Sequence, residues 1–177
     1  GNIGLIQPVS TGVSVEQAIV QAAAAYYQKD WGRLQMLDGF LGTASDGDAC
    51  QPLACVFRSL WRTKVTNPER RQSYGREALE LADRSLAGDT TVFAALVRLW
   101  AAKQAGDTDA WLESAYYLAD VMNSQPYAVT REMAESVAAQ VLSGVSEIQP
   151  QNTWQTARAA DVRELYVEVQ NQARGVE

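Results

Sequence analysis

The sequence predicts an all-α protein built from stacked antiparallel helical hairpins. Apolar residues recur at steps of three and four along most of the chain, and no segment alternates with period two for long. Turn-forming residues divide the chain into about eight helices, and their short connections favour antiparallel neighbours. Grouped in pairs, the helices recur at about 35–40 residues, which is typical of a helical array, here with an extra C-terminal helix. A non-repetitive bundle would give the same helix count.

The first half of the chain is predicted to hold four helices. The first runs from about Ser14 to Gln28, with Ser14 as its cap. Asp30 is the expected cap of the second. A turn-rich loop, GTASDGDACQP, follows, and Pro52 fits the first turn of the third helix, where a missing N–H costs nothing. The fourth helix ends at Gly88. Three of these helices carry apolar residues at helical spacing: Leu34, Leu37 and Leu41 in the second, Leu53, Val56, Phe57 and Leu60 in the third, and Tyr74, Ala78, Leu81 and Ala82 in the fourth.

Two further helices meet at a junction that resembles the one at Asp30. The fifth runs from about Thr91 to Ala105, and Gly106 ends it. Asp107 or Asp109 caps the sixth. At both junctions a run of small residues is followed by an acid and then a tryptophan. We expect the acid to cap the second helix and the tryptophan to begin its buried stripe.

The end of the chain is predicted to hold two helices joined by a polar connector. The seventh covers roughly Val129 to Leu142, with Gly144 as its stop, and the last runs from about Trp154 to Arg174. The last helix has an apolar stripe that would cap the array, occupy its groove or pair with another subunit. The stripe consists of Val162, Leu165, Val169 and Ala173. We therefore divide the chain into an extended segment (1–13), a hairpin domain (14–144), a connector (145–153) and a C-terminal helix (154–177).

Composition excludes several classes of function. The 177 residues form one ordinary domain, and the net charge of −6 argues against general nucleic-acid binding, which depends on neutralising phosphates. No apolar run approaches the roughly 20 residues that span a bilayer. The chain has no histidine, so catalytic triads and histidine-ligated metals are excluded. We expect no catalytic residue, metal or cofactor. The chain begins at Gly1, which fits a cleaved tag, a processed protein or an excised domain, and leaves cytoplasm and periplasm open.

The two cysteines, Cys50 and Cys55, flank Pro52 at the predicted start of the third helix. These two positions commonly touch across a helix start, so a disulfide is geometrically allowed. The alternative is a pair of small buried apolar residues at the same place.

A basic island lies on this acidic protein. The segment from Arg58 to Arg76 contains six lysines and arginines and one glutamate. Such an island would dock an acidic peptide or an anionic surface, or its side chains would neutralise neighbouring acids. The candidate partner-binding residues in it are Arg58, Arg62, Arg70 and Arg71.

Two pairs of adjacent tyrosines are further candidates for partner binding. Tyr26-Tyr27 and Tyr116-Tyr117 are adjacent residues about 100° apart around a helix, so both members of a pair cannot face the core equally. One ring would pack between helices and the other would line a groove, where tyrosine is favoured. The alternative is that all four rings are packed in or near the core.

One hairpin resembles the tetratricopeptide repeat. In that family the second helix carries a small residue, a bulky one four positions on, and a proline eight positions beyond that. Ser114, Leu118 and Pro126 have this spacing, although the family's W-x2-L-G signature is missing from every pair. The resemblance implies an adaptor, scaffold or chaperone of a bacterial envelope or secretion assembly that binds a peptide or partner subunit in a groove.

These observations predict a non-enzymatic protein–protein interaction module, because the chain offers a repeat surface and aromatic residues without a catalytic set. The alternative is a helical-bundle enzyme or small-ligand binder that uses paired carboxylates. A structural subunit of a larger assembly is a third interpretation.

Overall fold

A computed structural model describes residues 13–43 and 50–175. Within these ranges the chain forms nine α-helices, one 3₁₀ turn and no strand, so the prediction of an all-α fold is confirmed. The helices are α1 (Val15–Tyr27), α2 (Trp31–Met36), α3 (Asp38–Gly42), α4 (Pro52–Arg62), α5 (Arg71–Gly88), α6 (Val92–Ala105), α7 (Thr108–Ser124), α8 (Arg131–Glu147) and α9 (Thr153–Arg174), with the 3₁₀ turn at Pro126–Ala128. The predicted extended segment 1–13 and the middle of the predicted loop lie almost entirely outside the described residues.

Most consecutive helices pack against each other, which fits a helical array. From α4 to α7 each helix packs along the next, and α4 also touches α6. The first three helices, α1, α2 and α3, all pack against α4. Two buried apolar clusters result, one centred on α1 to α4 and the other on α6 to α9. Trp100 packs against both clusters, so α6 connects the two halves of the molecule.

The C-terminal helix does not follow this sequential order. α9 packs along α8 and also along α7. Tyr166 is completely buried there, and its hydroxyl donates to the carbonyl oxygen of Ala115 at 2.6 Å. Val162 is equally buried, whereas Leu165 and Val169 are only partly covered. The predicted apolar stripe is therefore used inside the chain, where it completes the second core.

The predicted end of the seventh helix at Gly144 is wrong. α8 continues to Glu147, so the predicted domain boundary between 144 and 145 falls inside a helix. A Cβ at Gly144 would lie 2.6 Å from Cζ2 of Trp111. The missing side chain at this position makes room for the indole and does not stop the helix.

The predicted second helix is interrupted. Leu37 separates α2 from α3, and its N–H bonds to the carbonyl oxygens of Arg33 and Leu34, both at 3.1 Å. The side chain of Asp38, directly after this break, reaches the side chains of α4.

The two similar junctions share one turn geometry. Lys29 (φ 54°) and Gly106 (φ 70°) both adopt the left-handed conformation. The N–H of the next residue then bonds five residues back, from Asp30 to Ala25 and from Asp107 to Ala102. Both aspartates cap the following helix, with carboxylate contacts of 3.0 Å. The predicted caps are confirmed. Of the two candidates for the sixth helix, Asp107 is the cap, while Asp109 accepts from Gln155 of α9.

No helix in the described ranges combines the length and apolar character that crossing a bilayer requires.

Candidate functional site: a trough along α6 and α8

One face of α6 carries partly exposed aromatic and basic side chains. Phe93, Trp100 and Lys103 lie on this face together with Leu96, because steps of three and four residues return to the same side of a helix. On α8, Met133 and Gln140 are seven residues apart and likewise share a side. α6 is apolar around most of its circumference, which is typical of a helix with neighbours on every side.

The N-terminal half of this face borders an apolar cavity of about 480 Å³. Its walls come from four places in the chain, namely the end of α1, the start of α6, the 3₁₀ turn and α8. Tyr127 is 86% exposed. Among the described residues, Asp89 is the only charged one that lines the cavity. The large apolar side chains in the lining are Tyr26, Phe93, Leu96, Tyr127 and Met133.

Aromatic rings fix the wall that α1 and α2 contribute. The ring of Tyr26 lies 5.3 Å from that of Phe93 and 6.3 Å from that of Trp31, measured between centroids. Phe57 of α4 is buried behind them, 5.7 Å from Phe93 in an edge-on arrangement. Distances of this size are favourable for aromatic pairs, so the wall is preformed.

The C-terminal half of the same face borders a basic pocket of about 350 Å³. Three cationic side chains from three different segments line it, and none of its described lining residues is a carboxylate. The lining consists of Thr63, Lys64, Arg71, Trp100, Lys103, Gln104 and Gln140.

Lys64 is held between two tryptophans. Its Nζ lies 5.1 Å from the ring centroid of Trp31 and 4.5 Å from that of Trp100. Both distances are within the range of cation–π attraction. Burial lowers the pKa of the Lys64 ammonium, and the charge of Lys29 lowers it further.

Amide side chains hold the pocket together. Gln104 Nε2 donates to the carbonyl oxygens of Arg62 (2.6 Å) and Arg71 (3.0 Å). These hydrogen bonds tie α6 to the last residue of α4 and the first residue of α5. The indole N–H of Trp100 donates to Oε1 of Gln140 at 2.7 Å and so ties α6 to α8. These bonds span 33 to 42 residues of sequence. We call the apolar cavity and the basic pocket together the α6–α8 trough.

Of the predicted arginines, the structure brings only Arg71 to the trough. Arg58 and Arg62 turn toward Asp38, with nitrogen–oxygen distances of 3.1 and 2.7 Å, and Arg62 also pairs with Glu77. These two arginines neutralise neighbouring acids, which was the second interpretation of the basic island. Arg70 is exposed and does not line the trough.

The Asp38 carboxylate is partly buried, and its ionised form is stabilised. Burial acts to raise the pKa of Asp38. Hydrogen bonds from Arg62, Trp61 and Arg58, together with the charge of Arg62, outweigh burial, so the pKa lies below its ordinary value.

The predicted tyrosines have four different environments. Tyr26 lines the apolar cavity, whereas Tyr27 is 88% exposed and lines neither part of the trough. Tyr116 lines neither part of the trough, and the guanidinium carbon of Arg158 lies 4.1 Å from its ring centroid. Tyr117 is partly buried, with its hydroxyl 3.4 Å from Oγ1 of Thr90. The four rings do not form one surface.

Cys50 and Cys55 are joined by a disulfide whose Cα atoms are 6.3 Å apart. This separation is within the usual range for disulfides. Cys55 is fully buried at the start of α4, and Cys50 is partly exposed.

Sequence reasoning missed most of the trough. Lys64 was included only in the charge of the basic island, and Trp31, Trp100, Lys103 and Gln140 were not candidates for a site. The one available signal was the nearly continuous apolar surface of α6, which indicates a helix with neighbours on every side but does not identify the residues that line a cavity. No group of three or more histidine, cysteine, aspartate or glutamate residues in the described part of the chain could hold a metal ion.

No protein-family model matches this chain, and neither a curated protein nor a solved structure resembles it significantly.

Proposed function

We propose that this protein is a non-enzymatic interaction module that binds a segment of a partner protein in the α6–α8 trough. The observation that carries the proposal is the alignment of an apolar cavity and a basic pocket along one face of α6. A segment with apolar side chains at one end and negative charge at the other would be complementary to both.

The residue types along the trough support a protein partner. Tyrosine, tryptophan and arginine are the residues most often found to dominate binding energy at protein interfaces. Tyr127, Tyr26 and Phe93 offer apolar area at one end of the trough, and Arg71 and Lys103 offer charge at the other. Ring packing and the hydrogen bonds from side-chain amides fix the walls of the trough. Binding therefore costs little conformational entropy in the protein.

The narrower role of an adaptor, scaffold or chaperone in an envelope or secretion assembly rests on the tetratricopeptide resemblance alone. Ser114 and Leu118, which carry that resemblance, are buried in α7, and Pro126 begins the 3₁₀ turn. The alternative of an enzyme with paired carboxylates has less support. Asp38, the least exposed carboxylate among the described residues, is bonded to arginines.

Two tyrosines of nearly equal exposure provide the test. Peptides selected from a random display library against the full chain would be measured by calorimetry against Tyr127→Ala and Tyr27→Ala. Tyr127 lines the trough at 86% exposure, and Tyr27 is 88% exposed outside it. We expect Tyr127→Ala to lower the affinity for the selected peptides by about tenfold, as loss of an interface anchor does. Tyr27→Ala should leave that affinity unchanged. Failure to select any binding peptide, or equal effects of the two substitutions, would refute the proposal.

A further inference from the structure

We propose that the basic pocket of the α6–α8 trough binds a phosphate monoester carried by the partner segment. The inference rests on the proposed function and deepens it, because it names the anion that the segment would present.

Among the described residues, no carboxylate lines the basic pocket beside its three cationic side chains. Three segments, namely the turn after α4, the start of α5 and the end of α6, contribute Lys64, Arg71 and Lys103, whose side chains line one cavity. The ion pairs in the described part of the chain include none of the three. By contrast, Arg58 and Arg62 of the same basic island are paired with carboxylates. Within the described ranges, the basic pocket therefore lacks the carboxylate partner that the neighbouring arginines have.

Lys64 is the most constrained of these cations. The faces of Trp31 and Trp100 attract its ammonium group but bring no negative charge. Burial and the charge of Lys29 both lower the pKa of Lys64, so the charged form is less stable there than in water. An anion in the pocket would restabilise the charged form.

The number of cations favours phosphate over a single carboxylate. A phosphate monoester has a charge of about −1.5 to −2 near pH 7 and three strong acceptor oxygens. A carboxylate has one negative charge and two oxygens. Arg71 offers a planar fork of N–H donors that suits bidentate binding of phosphate, and the two lysines supply point charges. Three cationic side chains around one cavity therefore match the phosphate better.

The trough also sets the spacing between anchor and phosphate. Phe93 borders the apolar cavity and Trp100 the basic pocket, and seven residues of helix span about 10 Å. An extended segment advances about 3.3 Å per residue. The phosphorylated residue is therefore expected about three positions from the apolar anchor.

The experiment follows the indole N–H signal of Trp100 by NMR, since this group bonds to Gln140 at the pocket wall. Four probes would be titrated into the full chain: inorganic phosphate, Phe-Gly-Gly-phosphoserine, and the same peptide with serine or glutamate at the last position. Arg71→Gln and Lys103→Gln test the pocket. Arg163→Gln is the control, because Arg163 is exposed on α9 and lines neither part of the trough.

We expect the phosphopeptide to bind at least tenfold more tightly than each of the other three probes. Arg71→Gln and Lys103→Gln should each lower the affinity for the phosphopeptide severalfold, and Arg163→Gln should not change it. An unchanged Trp100 signal, equal affinity of the glutamate peptide, equal affinity of inorganic phosphate, or equal loss in all three variants would each overturn the inference.

The two proposals fail in different ways. If library peptides bind and depend on Tyr127 while the phosphopeptide has no advantage, the inference is wrong and the proposed function stands. If inorganic phosphate binds through Arg71 but no peptide does, the pocket is an anion site and both the segment and the proposed function are wrong.

Discussion

Arg62 Nη1 donates to Asp38 Oδ1 at 2.7 Å, which joins α4 to α3 across 24 residues of sequence. The same carboxylate oxygen accepts from Arg58 Nε at 3.1 Å and from the indole N–H of Trp61 at 3.0 Å. Arg62 is itself only 8% exposed. This one partly buried carboxylate therefore ties α3 to α4, in addition to the apolar packing between the two helices.

We predict that Asp38→Asn lowers the free energy of unfolding by about 2–3 kcal/mol, because it removes the counter-charge of Arg58 and leaves Arg62 with the more exposed Glu77. Urea denaturation near neutral pH measures the change. Asp161→Asn is the matched control, since Asp161 is exposed and lies 3.8 Å from Arg158, and this pair should contribute less than about 0.5 kcal/mol. A loss in Asp38→Asn as small as the one expected for the control would show that the Asp38 cluster does not stabilise the fold.

The Asp38 cluster also predicts a pH dependence. Because the pKa of Asp38 is lower in the folded chain than in the unfolded one, its contribution is complete above the unfolded pKa of about 3.9 and is lost as the pH falls through the folded value. The difference in unfolding free energy between the wild type and Asp38→Asn should be constant from about pH 5 to 7 and shrink below about pH 4. Denaturation at a series of pH values tests this, and a difference that grows on acidification would contradict it.

We predict that Gly75→Ala strongly destabilises the chain. α5 and α6 approach so closely here that a Cβ would overlap the backbone nitrogen of Ala105 and lie 2.7 Å from the carbonyl carbon of Gln104. Since the backbone cannot move aside cheaply, we expect a loss of about 2–3 kcal/mol in thermal or urea denaturation. Gly39→Ala is the control, because nothing lies within 4 Å of its Cβ position in α3. That substitution should be neutral or slightly stabilising.

At the turns that contain Lys29 and Gly106, introducing a glycine and removing one are expected to change stability in opposite directions. Lys29 adopts a left-handed conformation (φ 54°) that costs a residue with a Cβ about 1 kcal/mol, so Lys29→Gly should raise the unfolding free energy by up to that amount. Gly106 adopts the same conformation (φ 70°), and Gly106→Ala should lower it by a similar amount. Melting temperatures of the two variants measure both effects. A loss of stability in Lys29→Gly would show that its side chain matters more than the strain.

The local elements could be predicted from the sequence because their causes are local. Ser14, Asp30 and Pro52 begin helices as expected, since a cap and the donor that it satisfies are three residues apart. Gly144 could not be interpreted in this way. Whether a glycine ends a helix or receives a neighbouring ring depends on a residue elsewhere in the chain, here Trp111.

The candidate site was predicted only in fragments for the same reason. Tyr26 and Arg71 were candidates and do line the trough. The walls that face them come from α6 and α8, and no pattern near either residue indicates those helices. Arg58 and Arg62 had the same sequence signal as Arg71, but their partner Asp38 lies 20 and 24 residues away and removes them from the surface.

The sequence by itself determined an all-α chain with its helix starts, its two similar turns and its excess of negative charge, because periodicity, capping and composition act over a few residues or over the whole chain. Only the tertiary structure decided that α9 fills the second core, that Asp38 neutralises two arginines, and that Lys64, Arg71 and Lys103 meet in one pocket. These contacts join residues tens of positions apart, and such pairings depend on how the helices pack and not on any local pattern.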